Sequence, residues 1–162
     1  MKTAIVYYSM GGNTEFAAKK IAEQTGADLI EVKPKKAYPD KGASKFLWGG
    51  KSAVMSEKPE LASYDFDADS YERIVFGFPI WASRVTPPIR SFVEENRGAL
   101  EGKSFGVFVC QAGSGGEKCI ERLRQLLGIE KFRAAAVLTD PKDKPSAETD
   151  EKISAFCAKL NK

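Results

Sequence analysis

The sequence contains no histidine in its 162 residues. That removes serine or cysteine triads with a histidine base and leaves the usual catalytic zinc sites without their main ligand. Cysteine is scarce. Cys110, Cys119 and Cys157 are odd in number and form no C-x-x-C, which predicts a reduced, cytoplasmic protein. A strong charge of one sign is missing as well. The net charge is +3 and the basic residues are scattered, so no nucleic-acid partner is expected. No apolar run approaches the ~20 residues of a membrane span. The opening "MKTAIVYY" has neither an h-region nor a cleavage site, so no signal peptide and no membrane partner are expected. Internal repeats and low-complexity tracts are also lacking.

What remains is an ordinary globular composition, 43% hydrophobic and 29% charged. A single domain over residues 1–162 is expected. A chain of this length buries roughly 70% of its unfolded surface, so no disulfide or metal staple is needed. Five apolar runs predict strands over 3–8, 27–32, 73–78, 104–110 and 134–139. Most are continuous rather than alternating, as parallel strands covered on both faces require. Glu31 marks the second as edge-like.

Helical spacing lies between the runs. Ala18, Ile21, Ala22 and Thr25 share a face, with Gly26 as a stop. Thr86-Pro87 opens a second helix bearing Ile89, Phe92 and Val93, and residues 117–127 form a third that ends at Gly128. Ile153, Phe156, Cys157 and Leu160 mark a fourth, with Ser146 or Thr149 as N-cap. Between 33 and 70 only "SKFLWGGKSAVM" offers a crossover helix. The alternation predicts an α/β fold, a doubly wound five-stranded parallel sheet in the common order 2-1-3-4-5. Ligands of such sheets bind beyond the carboxyl ends of the strands, which makes candidates of the loops 9–14, 79–86 and 111–116.

The first loop, "SMGGNT", carries the hydroxyls of Ser9 and Thr14 and the close-approach glycines Gly11 and Gly12, just before a helix start. That is an anion site built from neutral donors. It matches neither the Walker lysine motif nor G-x-G-x-x-G. It also reads as a plain turn with Thr14 as N-cap. In "FPIWASRVTPP" an exposed Trp81 would stack on a flat ligand, or else fold onto the core. In "QAGSGGEK" the glycines suit backbone approach to a heterocycle, or a flexible turn. A receiver domain of the same architecture needs acidic residues after strand 1, and "YYSMGG" has none. Cys110, at the end of strand 4, reads as a buried inert thiol.

Together these residues resemble the flavodoxin family. Its N-terminal signature is filled by Ile5, Val6, Tyr7, Ser9, Gly12 and Thr14. Gly77, Pro79 and Trp81 resemble its isoalloxazine loop, and the glycine-rich stretch after Cys110 falls where its third flavin loop belongs. Flavodoxins themselves exemplify the 2-1-3-4-5 order. The resemblance implies FMN as cofactor. By position, Ser9, Met10, Gly11, Gly12, Asn13 and Thr14 would hold its phosphate without a cationic side chain. Trp81, after Pro79, would flank the ring. Ile80, Ala82, Ser83, Gln111, Ala112, Gly113 and Gly116 would supply backbone at the ring edges.

Departures from the family are visible. Electron-carrying flavodoxins are strongly acidic, and they often have Gly where this chain has Ala82. "QAGSGG" lacks the aromatic that usually sandwiches the ring. One ring face is then open, or covered by Phe46, Trp48 or a second subunit of a homodimer. Arg84 is a candidate for stabilising charge on the reduced ring, against a plain solvated role. The resemblance implies a carrier of electrons between redox partners, its partner being a redox protein or a small-molecule electron acceptor. The alternative is an enzyme, an NAD(P)H-dependent FMN or quinone reductase. No side chain is expected to be catalytic, because the cofactor carries the chemistry.

Overall fold

A computed structural model describes residues 2–38 and 58–162. Its strands are β1 (Thr3–Tyr7), β2 (Asp28–Glu31), β3 (Arg73–Pro79), β4 (Ser104–Gln111) and β5 (Ala134–Thr139). Each boundary falls within one residue of the apolar run that predicts it. The strands form a parallel sheet in the order β2-β1-β3-β4-β5. Central β1 is buried along its whole length, whereas β2 lies at an edge and exposes Leu29.

Alternate side chains of each strand enter opposite cores. Ala4, Val6, Ile74, Phe76 and Phe78 meet Ile89, Phe92 and Val93 of α2 (Pro87–Glu95) and Cys119 and Leu123 of α3 (Gly116–Leu127). Ile5, Tyr7, Val75 and Phe108 meet Ala17, Ala18 and Ile21 of α1 (Asn13–Thr25) and Ile153, Phe156 and Leu160 of α4 (Ala147–Asn161). Gly77 is glycine because the Phe108 ring, in register on the neighbouring strand, fills the space of its missing Cβ.

Local signals set the helix ends. Gly26 and Gly128 adopt φ of 73° and 67°, and the Gly26 amide closes α1 on the Ala22 carbonyl at 2.8 Å. Ser146 is the N-cap of α4, its Oγ accepting the Thr149 amide at 3.1 Å. The crossover helix expected in "SKFLWGGKSAVM", with Phe46 and Trp48, lies outside the described residues. The segments flanking it are clasped together. Lys35 N donates to Glu60 O at 2.7 Å and Ala62 N to Lys33 O at 2.8 Å.

After β1 the chain leaves for the α1 face of the sheet, and after β3 it leaves for the α2 face. The carboxyl ends of β1 and β3 are therefore flanked by diverging loops, which is where a crevice opens.

Candidate functional site

Past β1, Gly11 and Gly12 adopt φ of 87° and 95°, a region that favours glycine. Gly12 is the N-cap of α1 and has no side chain to cap it. Ser9 Oγ instead accepts the Glu15 amide at 3.1 Å. Thr14 lies inside the first turn, which corrects its reading as N-cap. It is 1% exposed, and its Oγ1 is buried without a hydrogen-bond partner. A buried orphan of this kind costs roughly 1–3 kcal/mol. Cys110 lies near this hydroxyl. Burial pushes the Cys110 thiol up to about 12, with the Thr14 hydroxyl pulling the other way and Asp140 adding to the rise. The Thr14–Cys110 contact falls short of hydrogen-bond geometry.

Asn13 has a further role. Its Oδ1 accepts the Lys142 amide at 2.8 Å and the Asp143 amide at 3.1 Å, and its Nδ2 donates to Asp143 Oδ2 at 2.9 Å. The side chain is tied to the loop between β5 and α4, which leaves one Nδ2–H and the backbone N–H for a ligand. The same loop brings a residue that the sequence reading missed. Lys142 Nζ donates to the Gly11 carbonyl at 3.2 Å. The available signal was "TDPKDKPS", a turn-rich stretch at the carboxyl end of a strand, where ligand loops gather.

Of the two readings open for Trp81, the structure has the indole folded onto the core. It is 7% exposed and packs edge-on against Tyr8 and Tyr38. Pro79 ends β3 in register with Cys110, and the Ile80 amide extends that ladder by donating to the Cys110 carbonyl at 3.0 Å. That amide is therefore not free for a ring edge. Ala82 and Ser83 follow, with φ of 51° and 55°, in a tight turn closed by Arg84 N on Trp81 O at 3.0 Å. Non-glycine residues held there cost roughly 1 kcal/mol or more each. Ala82 thus takes the left-handed conformation despite its Cβ.

In the third loop Ala112 and Gly113 are exposed, while Gln111 Oε1 accepts the Gly116 amide at 3.1 Å. Gly116 is buried, and its missing Cβ makes room for Val137 Cγ1, 2.6 Å from where it would stand. Packing accounts for that glycine. Gly115, at φ 101°, lies against Ser83 Oγ and joins the second and third loops. Ser9 to Thr14, Ile80 to Ser83 and Gln111 to Gly113 so occupy neighbouring strand ends, as the sequence implied.

Positive charge gathers beside the second loop. Arg122 Nη1 donates to the Ser83 carbonyl at 2.9 Å, and the Cys119 thiol to the Arg84 carbonyl at 3.0 Å. Burial, then Arg84, holds the Arg90 guanidinium below its ordinary range, with Arg122 contributing. A cavity of about 340 Å³ opens by the first loop, bounded by Tyr8, Ser9, Met10, Gly11, Lys33 and Tyr38. A larger one of about 530 Å³ lies at the amino end of β4, by Leu100, Lys103 and Phe105, and holds none of these loops. Among the described residues no helix is long and apolar enough to cross a membrane.

The fold has counterparts among solved structures. A flavoprotein from Lactobacillus acidophilus, solved in complex with FMN, is similar at TM-score 0.70 and 22% identity over 93% of this chain and 97% of its own. The two-electron reduced flavodoxin of Megasphaera elsdenii aligns at TM-score 0.60 and 18% identity, over 98% and 99% of the two chains. Oxidised Flavodoxin 2 from Bacillus cereus aligns at TM-score 0.59 and 20% identity, over 99% and 98%. A family model described as flavodoxin matches residues 2–152, nearly the whole chain, and the protein belongs to the flavodoxin family.

Proposed function

We propose that this single-domain chain binds FMN and carries electrons between redox partners in the cytoplasm. FMN supplies the redox chemistry when bound. The chain's own groups bind and orient it. Ser9 Oγ, Thr14 Oγ1 and the backbone amides of Met10 to Thr14 receive the phosphate at the start of α1. Backbone of Ala82, Ser83, Gln111, Ala112 and Gly113 borders the ring, with Trp81 behind it. The observation that carries this reading is the buried, unpartnered Thr14 Oγ1 at an α-helix start lined by two left-handed glycines. A phosphate oxygen gives that hydroxyl the acceptor it lacks. The FMN named for the Lactobacillus acidophilus protein supports the choice of ligand.

The arginines beside the second loop favour a second reading. Arg84, Arg90 and Arg122 suit an anionic donor such as NAD(P)H, and a third loop without an aromatic leaves room for a nicotinamide. The chain would then be an FMN-dependent reductase. Reductive titration of the FMN-loaded protein separates the two. Reduction by dithionite in two resolved one-electron steps, with no response to NADH or NADPH, is the result expected of a carrier. Direct bleaching by either nicotinamide establishes the reductase and overturns the carrier.

A further inference from the structure

We propose that Lys142 selects the phosphorylated flavin: it places a positive charge over residues 9–14, and Asn13 positions it there. The inference rests on the FMN reading above and adds a cation to a site whose sequence contains none. Lys142 stands 131 positions from Gly11 in the chain, yet its Nζ lies 3.2 Å from the Gly11 carbonyl oxygen. Its stem crosses Gly12. A Cβ built on Gly12 would stand 2.7 Å from Nζ and 3.3 Å from Cδ. A side chain there would push the flexible end of Lys142 aside, while the φ of 95° is what requires glycine at this position.

The charge on Lys142 is uncommitted. Among the described residues it has no carboxylate within 4.0 Å, whereas its neighbours are paired. Lys144 faces Asp140 at 3.7 Å, Lys33 faces Glu31 at 3.5 Å, and the Asp143 carboxylate accepts from Asn13 Nδ2 at 2.9 Å. An ammonium has three N–H donors, and one carbonyl satisfies one of them. A phosphomonoester dianion at the α1 N-terminus offers acceptors and opposite charge to the others. Asn13 fixes the approach. By accepting two successive amides, those of Lys142 and Asp143, it holds the backbone from which the lysine reaches across. Asn13 thus serves the phosphate through the placement of Lys142.

The ligand chemistry is a phosphomonoester or free inorganic phosphate, and one experiment distinguishes them. Apoprotein is titrated with FMN and with riboflavin, following flavin fluorescence at low and high salt. Binding of inorganic phosphate is measured alongside by calorimetry. Wild type, K142Q, K142R and N13A are compared. In K142Q the affinity for FMN should fall roughly 10-fold and become less salt-sensitive, while that for riboflavin changes by less than about twofold. K142R should restore most of the loss, and N13A should reproduce it without adding to it in the double variant. Equal losses for both flavins, or none, overturn the proposal and leave the FMN reading standing. Unchanged FMN affinity with loss of inorganic phosphate binding would make free phosphate the partner of Lys142 and also overturn it. A wild-type protein that binds neither flavin removes the FMN reading, and this inference with it.

Discussion

Trp81 meets Tyr8 edge-on, with ring centroids 5.7 Å apart and planes at 82°. Tyr38 meets the same indole at 5.5 Å and 84°. The trio ties the second candidate loop to the end of β1 and to the segment beyond β2. Aromatic pairs of this kind contribute beyond their buried area. Trp81 therefore supports the apoprotein, whatever it does for a flavin. Trp81→Ala should lower the unfolding free energy of apoprotein by roughly 3 kcal/mol in urea titrations. Unchanged stability would show that the indole is not held in this cluster.

Thr14 should behave in the opposite way. Its Oγ1 is buried without a partner, so Thr14→Val removes an unsatisfied group at nearly constant volume. Apoprotein stability should hold or rise by about 1 kcal/mol, while FMN affinity falls roughly 10-fold. Loss of both together would mean that the hydroxyl is already satisfied in the apoprotein.

Ala82 and Ser83 hold φ of 51° and 55° in consecutive positions. Ala82→Gly should raise stability by up to about 1 kcal/mol in thermal melts, and Ala82→Val should lower it by more than that, because a branched Cβ fits the left-handed region worst. Equal melting temperatures for both variants would show that the turn carries no such strain.

The thiols give a pH dependence. Burial pushes Cys110 and Cys119 from 9.0 up to about 12, against the pull of Thr14 on the first and of Arg122 and Arg90 on the second. The folded state keeps protons that the unfolded state gives up. The stability this contributes is complete below pH 9.0 and is lost as pH rises toward about 12. The urea midpoint should therefore fall between pH 8 and pH 10, and fall less in Cys110→Ser. A Cys110→Ser slope equal to that of wild type would remove the thiol from the explanation.

The sheet was legible because continuous apolar runs such as "RIVFGF" and "SFGVFVC" suit a strand buried on both faces, and Gly26 and Gly128 mark helix ends by a conformation that few other residues accept. The proposed phosphate loop stands out in the sequence as a cluster of small and hydroxyl residues before a helix. Lys142 does not, because its place over Gly11 comes from sheet order and a loop closure across 131 positions, which no local pattern encodes. The packing of Trp81, which the sequence leaves open between a ligand and the core, escapes local pattern for the same reason. Its partners Tyr8 and Tyr38 come from other parts of the chain, and only the assembled sheet brings them together.

The central claim is that residues 9–14, 81–83 and 111–113 together hold FMN. Titrating purified apoprotein into FMN, following flavin absorbance and fluorescence, tests it most directly. Saturation at one FMN per chain, with shifted absorption bands and quenched emission, is the expected result. A flavin spectrum left unchanged by excess protein contradicts it.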